Sequence, residues 1–442
     1  MSFEWYTDFV NESYKPKSSD IICLFYFEPA KGISVKEAAG RIASESSAGT
    51  WTTLARMPKR LKGTMATAFE IEKSGNGHYV KVAYPLDLWD PGNVPQLLSG
   101  IAGNIFGMKA LDNLRLVDVS LPPAYIKNFR GPQFGIDGLR KMLKVKKRPI
   151  TGAVPKPKIG FSAREHAEVG YETWMGGFEL LKDDENLTTT SFNRFEERIR
   201  LCAKMRDKAE KETGERKSAL LNITGPTHVM AKRAKMLHDL GWEYAMIDVV
   251  TAGAAGVQTL REICNDYHLA IHAHRAMHAS FDRNPRHGMS MLFLAKMMRL
   301  IGVDQIHVGT VVGKLVGTKG EVMDIEREIT SKILRDENYD KKSGHPFPVL
   351  RQNWGHIKPV LPVSSGGVHP GLVPDILDIL GTDICLLVSG GIHGHPNGTR
   401  AGAKAAMQAI EAHMNGISLE EQAKRHKELA AALQKWGHSR PR

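Results

Sequence analysis

Nowhere in this 442-residue chain is there a run of roughly eighteen apolar residues, the length a membrane-crossing helix needs. The most apolar candidate, Met291–Val303, is broken by Lys296 and Arg299. No membrane association is expected. The opening Met1-Ser-Phe-Glu-Trp has neither a basic stretch nor an apolar one, so a secretory signal is not expected either. Cysteine is scarce: Cys23, Cys202, Cys264 and Cys385 stand apart, without Cys-x-x-Cys spacing or a disulfide framework. A reducing cytoplasm is the expected compartment. The net charge of +12 comes without five or six consecutive basic residues and without a zinc-finger or RNP pattern. It therefore favours anionic small substrates over nucleic acid. The basic residues are dispersed apart from Lys141–Arg148 and the C-terminal tail, and neither internal repeats nor low-complexity tracts occur. What is present is an ordinary globular composition, 42% hydrophobic and 24% charged. The length leaves room for two or three domains.

From about residue 20 to 120 the pattern is a small α+β unit. Ile21–Phe27, His78–Tyr84 and Leu114–Ser120 have the β-rich runs of strands, and Val35–Ser44 and Asn93–Ile101 have helical spacing. The order predicts a ferredoxin-like split βαβ domain over residues 1–130. Leu121-Pro-Pro123 and Gly131-Pro132 break the pattern. Beyond residue 149, eight short apolar segments alternate with helical ones: Ile150–Val154, Met175–Leu181, Ala219–Ile223, Tyr244–Val249, Leu269–Ala273, Gln305–Val308, Val360–Val363 and Ile384–Val388. Eight βα units over 131–442 predict a (β/α)8 TIM barrel with its active site at the C-terminal strand ends. Two C-terminal helices complete it, Thr399–Met414 and Leu419–Trp436, the second opened by a capping box at Ser418-Leu-Glu-Glu421.

The predicted strand ends concentrate chemistry. Gly176-Gly-Phe-Glu-Leu-Leu-Lys182-Asp-Asp184-Glu185 ends an apolar run in a lysine among carboxylates. Continued as a strand, it would point Lys182 and Asp184 the same way. Such a set suits a hard cation such as Mg²⁺ if the amine is neutralised or turned into a ligand; the plain alternative is a solvated charge cluster. Val154-Pro-Lys156-Pro-Lys158 sets two lysines on one side of a proline-stiffened segment, or leaves two surface lysines on a loop. In His272-Ala-His274-Arg275 the His-x-His pair has zinc-site spacing, but Arg275 suits a phosphate better than a cation-only site. His307-Val-Gly309-Thr-Val-Val-Gly313-Lys314-Leu315 fails the P-loop pattern: three residues separate its glycines and Leu315 replaces the Ser/Thr. Ser364-Ser365-Gly366-Gly367 and Ser389-Gly390-Gly391 are Gly-rich turns of the kind that cradle phosphate after the seventh and eighth strands. Separate cationic and Gly-rich sites suit a substrate with a phosphate at each end.

These ordered motifs, spread from about Asp20 to Gly398, resemble the large chain of ribulose-1,5-bisphosphate carboxylase/oxygenase (RuBisCO), most closely its archaeal-type form III. The resemblance implies that Lys182 is carbamylated by CO₂ and binds Mg²⁺ with Asp184 and Glu185. It implies that Lys156 handles protons, that His274 acts near the reacting carbons, and that Lys314 on a mobile lid stabilises the new carboxylate. Lys158, Arg275, His307, Ser365, Gly366, Gly367, Ser389 and Gly390 would contact the substrate, mostly at its phosphates. Val154 stands where many plant-type members have Thr, and Ser389 where the family often has a third glycine. Glu45-Ser-Ser-Ala-Gly-Thr50-Trp51 and Gly103-Asn104 match the segments that a neighbouring subunit contributes to the site. By that match Glu45 pairs with Lys314, Thr50 and Trp51 touch phosphate, and Asn104 reaches metal and substrate.

The expectation is a Mg²⁺-dependent carboxylase of ribulose 1,5-bisphosphate, with CO₂ as activator and substrate and O₂ as a competing one. A homodimer with shared sites is expected, open to higher assembly of dimers. One rival is a RuBisCO-like enolase or isomerase that fixes no CO₂, although such relatives usually lack part of this residue set. Another is a non-catalytic basic binding protein, which would have no need of polar residues gathered at strand ends.

Overall fold

The computed structural model describes residues 4–50, 52, 59–312, 318–337 and 347–440. Its contacts divide the chain into two compact units. The first comprises 1–130, 277–301 and 331–357; the second comprises 131–276, 302–330 and 358–442. The single division at 130/131 read from the proline- and glycine-rich linker is therefore joined by others. The physical reason is visible at Met291–Ile301, a helix whose Lys296 is fully buried and donates to Asp118 Oδ1 and to the Val119 carbonyl, each at 2.7 Å. Asp118 also accepts from the Leu350 amide at 2.7 Å, so one carboxylate joins three distant segments of the first unit. The two charges that interrupt this apolar stretch are thus buried and bonded, Arg299 donating to the Ser331 carbonyl. No helix of the described residues is long and apolar enough to cross a membrane.

In the first unit, strands Ile21–Pro29, Thr67–Ser74, Gly77–Tyr84 and Leu111–Ser120 form an antiparallel sheet in spatial order fourth, first, third, second. Helices Val35–Glu45 and Val94–Ile101 occupy the two crossovers, which is the ferredoxin-like arrangement. Each begins at a side-chain cap: Ser34 accepts from the Glu37 amide and Asn93 from the Gln96 amide, both at 3.1 Å. Thr67–Ser74 is a strand that apolar runs do not mark, because Glu70, Glu72 and Lys73 interrupt it. Gly288–Met289 adds a short parallel neighbour to the fourth strand.

The second unit carries eight parallel strands: Ile150–Ala153, Leu180–Lys182, Ser218–Leu220, Tyr244–Asp248, Ala270–His274, Gln305–His307, Leu361–Ser365 and Cys385–Leu387. They pair in the order 3-2-1-8-7-6-5-4. Strands three and four meet where Met246 donates to Leu221 O and Ile223 to Met246 O, each at 3.0 Å, which closes the sheet into a barrel. All eight segments expected from the sequence overlap their strand, four of them missing it by one or two residues at an end, with one marked shift. Met175 ends the helix Ala163–Met175, and the second strand starts only at Leu180. Gly177, at φ +101°, turns the chain between them. The C-terminal segment also differs from the single helix expected over Leu419–Trp436. It forms Leu419–Ala423 and Lys427–Trp436, because the Leu429 amide is capped by Gln408 Oε1 at 3.0 Å, which re-aims the chain.

The lower end of the barrel is closed by apolar packing and pinned by acids. Ile136, Leu139 and Leu143 of helix Gly135–Leu143 share one core with Ile150, Leu180, Tyr244, Ala270, Leu361 and Cys385, each the first residue of its strand, and with Leu220 of the third strand. An acid directly precedes each of strands two, four and six and bonds to the neighbouring odd strand. Glu179 accepts from Thr151 N at 2.9 Å, Glu243 from Ser218 Oγ at 2.6 Å, and Asp304 from Ile271 N at 2.9 Å. Arginines 148, 216 and 261 balance these three charges.

In the first unit, Lys296→Met is expected to lower unfolding stability by about 3–5 kcal/mol, because it strands a buried carboxylate. Adding Asp118→Asn is expected to recover a large part of the loss while keeping an acceptor for the Leu350 amide. Urea unfolding of the two variants checks both outcomes.

Candidate active site

At the opposite end, the C-terminal strand ends of the second unit line a cavity of about 840 Å³. Lys156, Lys158, Lys182, Asp184, Glu185, His274, His307, Ser365, Gly366, Gly367, Ser389 and Gly390 all line it. Barrel geometry gathers them: coming from the ends of strands one, two, five, six, seven and eight, they leave the sheet at one rim.

Lys182 is the last residue of the second strand and is 1% exposed. Its Nζ donates to the Asp183 carbonyl at 2.8 Å. Burial pushes the amine below the ordinary lysine pKa, against the upward pull of Glu185, Asp248, Asp184 and Asp183. The strand stops here, so Asp184 and Glu185 belong to the following turn and not to a continued strand. Asp183 holds that turn. Fully buried, it meets Arg198 at 3.0 Å, His166 Nε2 at 3.1 Å and the Asn222 amide at 2.9 Å. Burial alone would raise its pKa; Arg198 and the other donors outweigh this and hold the carboxyl below its usual value. Asp184 is buried as well, accepting from Asn186 Nδ2 at 2.9 Å and lying 3.5 Å from Lys156 Nζ. Lys156, a third exposed, has its pKa lowered by burial despite the carboxylates beside it.

The fifth and sixth strands bring three imidazoles together. His274 Nδ1 is 3.2 Å from Asp248 Oδ1 and its Nε2 is 3.7 Å from Glu185. His272 and His307 meet edge-on, Nε2 to Nε2 at 3.1 Å. His272 Nδ1 faces Gln305 Nε2 at 2.8 Å, and His307 Nδ1 faces Ser365 Oγ at 2.9 Å. Burial pushes both rings well below the ordinary histidine pKa, and neighbouring positive charge adds to the shift. Arg275 does not line the cavity; it is buried, with its guanidinium so placed that a Cβ on Gly309 would come within 3.0 Å of it.

The Gly-rich turns are sterically required. Gly366 and Gly367 have φ +112° and +74°, and a Cβ on Gly391 would lie 2.5 Å from the Val368 carbonyl oxygen. Ser389 accepts from the Val154 amide at 3.0 Å, tying the eighth strand end to the first. His369, Trp436 and Ser439 also line the cavity: the His369 ring stacks on Trp436 and its Nε2 lies 2.8 Å from the Ser439 carbonyl.

Glu45, Thr50 and Asn104 belong to the first unit: Glu45 ends helix Val35–Glu45 and is exposed, as is Asn104 at the start of a short 3₁₀ turn. Lys314 and Trp51 lie outside the described residues. Several supporting residues had escaped the sequence reading. Asp248 obeys the same strand-end rule and could have been found by it. Asp183, His166, Arg198 and Gln305 act through buried contacts that no spacing reveals, and His272, noted for its spacing to His274, faces Gln305 and His307. Among the described residues, no three His, Cys, Asp or Glu side chains converge as a metal site.

Comparison with known proteins agrees over almost the whole length. The family described as ribulose bisphosphate carboxylase large chain, catalytic domain, matches residues 135–436, and the corresponding N-terminal domain matches 8–125. The ribulose bisphosphate carboxylase of Pyrococcus abyssi is 51% identical over 442 residues, covering 100% of this chain and 99% of the relative. That of Methanosarcina acetivorans is 49% identical, covering 97% and 99%. Among solved structures, the octameric Rubisco of Pyrococcus horikoshii in complex with sulfate is similar with TM-score 0.92 and 51% identity, covering 99% of this chain and 98% of that one. The dimeric archaeal Rubisco of Hyperthermus butylicus is similar with TM-score 0.93 and 48% identity, covering 98% and 100%.

Because the buried His272 and His307 stay neutral when folded, the unfolded state binds more protons below about pH 6.5. Stability is therefore expected to fall as pH falls through that value, by about 1.4 kcal/mol per histidine between roughly pH 7.5 and 5.5. Denaturation at the two pH values, with and without His272→Gln, measures one histidine's share.

Proposed function

Because the chain belongs to the ribulose bisphosphate carboxylase large-chain family, as an archaeal member and a carbon–carbon lyase, we propose that its cavity enolises ribulose 1,5-bisphosphate and adds CO₂. Hydration and cleavage then give two molecules of 3-phosphoglycerate. The observation that carries this reading is Lys182: an amine fully buried at a strand end, depressed in pKa, with two carboxylates in the next turn. An amine so disposed favours its neutral, nucleophilic form. Attack on CO₂ forms the N–C bond of a carbamate and releases a proton, turning a cation into an anionic oxygen ligand.

The donor set fits Mg²⁺ on this condition. Asp184 and Glu185 supply two carboxylates, the described residues bring no third acid or histidine to them as a metal site, and a carbamate on Lys182 would complete an all-oxygen set. When bound, Mg²⁺ supplies Lewis-acid polarisation of the substrate carbonyl. The remaining work belongs to the protein. Lys156, held below its ordinary pKa beside Asp184, is suited to pass protons at the substrate. His274, oriented by Asp248, faces the same space. Lys158 at the rim and the Gly366-Gly367 and Gly390 turns suit the two phosphates. Arg275 and His307 join these contacts in our reading, and Lys314 stabilises the new carboxylate. O₂ attack on the same enediol gives an oxygenase side reaction.

The exposed Glu45 and Asn104, with Thr50 and Trp51, are assigned to the site of a second copy, so the working unit is a homodimer. The dimeric Rubisco of Hyperthermus butylicus and the octameric one of Pyrococcus horikoshii support dimers and their further assembly. The reducing cytoplasm remains the proposed compartment.

Turnover of ribulose 1,5-bisphosphate with ¹⁴C-bicarbonate and Mg²⁺ is expected to yield labelled 3-phosphoglycerate from the wild type and none from Lys314→Ala or Lys182→Met. Solvent exchange at C3 without label from the wild type would instead identify a non-fixing enolase. A mixture of separately inactive Lys182→Met and Asn104→Ala chains is expected to regain up to about a quarter of wild-type activity after subunit exchange, because half of the random dimers carry one intact site. No recovery in verified heterodimers would rule out shared sites.

A further inference from the structure

Gln305 opens the sixth strand and His272 lies within the fifth; both are fully buried, and the functional reading leaves both without a role. They form the inner end of an unbroken polar line: Gln305 Nε2 to His272 Nδ1 at 2.8 Å, His272 Nε2 to His307 Nε2 at 3.1 Å, and His307 Nδ1 to Ser365 Oγ at 2.9 Å. Only its outer members, His307 and Ser365, line the cavity. Two neutral imidazoles in line must each donate at one nitrogen and accept at the other, so one end sets the direction of every proton.

Gln305 sets it. With its amide nitrogen toward His272, one N–H is used and Oε1 is left without a hydrogen-bond partner. The structure turns the amide nitrogen and not Oε1 to the ring, and an amide nitrogen can only donate. The Gln305 N–H therefore donates to His272 Nδ1, His272 Nε2–H donates to His307 Nε2, and His307 Nδ1–H donates to Ser365 Oγ. A lone pair of Ser365 is then occupied and its hydroxyl hydrogen is left for the cavity. The positive φ of Gly366 and Gly367 turns the chain directly after it.

We propose that Gln305 and His272 are positioning residues that fix the tautomer of His307 and so make Ser365 a hydrogen-bond donor to the bound sugar bisphosphate. This rests on the substrate role assigned to Ser365 above. A reversed line would make Ser365 spend its hydrogen on His307 and offer the substrate only lone pairs, which repel phosphate and enolate oxygens alike.

Gln305→Glu keeps the shape and converts the donor to an acceptor, reversing the line. It is expected to lower kcat/KM for ribulose 1,5-bisphosphate about tenfold or more, yet to change it by less than about twofold in a Ser365→Ala background, because the effect passes through Ser365. In ¹⁵N-histidine-labelled holoenzyme, the His307 signals, identified by their loss in His307→Asn, are expected to show hydrogen on Nδ1 in the wild type and on Nε2 in Gln305→Glu. Equal losses in both backgrounds would overturn the proposal, as would hydrogen on His307 Nε2 in the wild type, which leaves the role of Ser365 standing. Wild-type kcat/KM in Ser365→Ala would remove that role and the proposal with it. Should Gln305→Glu not fold, Gln305→Met removes the donor and enters the same cycle, with a several-fold loss expected only where Ser365 is present.

Discussion

The active end of this barrel depends on one buried carboxylate that faces away from the chemistry. Asp183 sits between Lys182 and Asp184, and its charge is held by Arg198, His166 and the Asn222 amide. Those partners come from helix Phe195–Thr213, helix Ala163–Met175 and the end of the third strand, so the turn is clamped from three directions. With Asp183 held in the protein interior, its neighbours Lys182 and Asp184 both line the cavity. A buried anion without such donors would neutralise or pull the turn toward water.

The two ends of the barrel use charge in opposite ways. At the lower end Glu179, Glu243 and Asp304 each meet an arginine and an adjacent strand, so their charges are spent on register and closure. At the upper end, burial shifts Lys156, Lys182, His272, His274 and His307 toward their neutral forms at the cavity and just behind it. For the lysines this favours the form that can take up a proton or attack an electrophile near neutral pH, whereas the buried imidazoles stay neutral hydrogen-bonding groups. The strand directions of a parallel barrel keep these two populations apart.

Much of this was legible in the residues. The eight barrel strands show as short apolar runs, because a strand buried on both faces has no reason to alternate. The lysines, acids and glycines at their ends stand out because polar residues directly after such runs have few structural uses. Legibility failed where burial is indifferent to secondary structure. Phe178 is buried in the loop before the second strand as firmly as Leu181 is within it, so hydrophobicity could not find the boundary at Leu180. It failed again at Thr67–Ser74, whose charged residues hide a strand. The break within 419–436 depends on a cap from Gln408, a residue of another helix.

What the sequence determined by itself was the kind of fold, the family and the ends of strands at which chemistry gathers, since these follow from periodicity and local residue order. Tertiary structure alone decided which polar residues support the others: Arg198 and His166 for Asp183, Asp248 for His274, Gln305 for His272. Lys296 likewise carries no local sign that its partner is Asp118. The reason is that a buried polar group is defined by the partner that satisfies it. In a barrel closed by strands far apart in the chain, that partner is fixed by where the strands meet and not by sequence spacing.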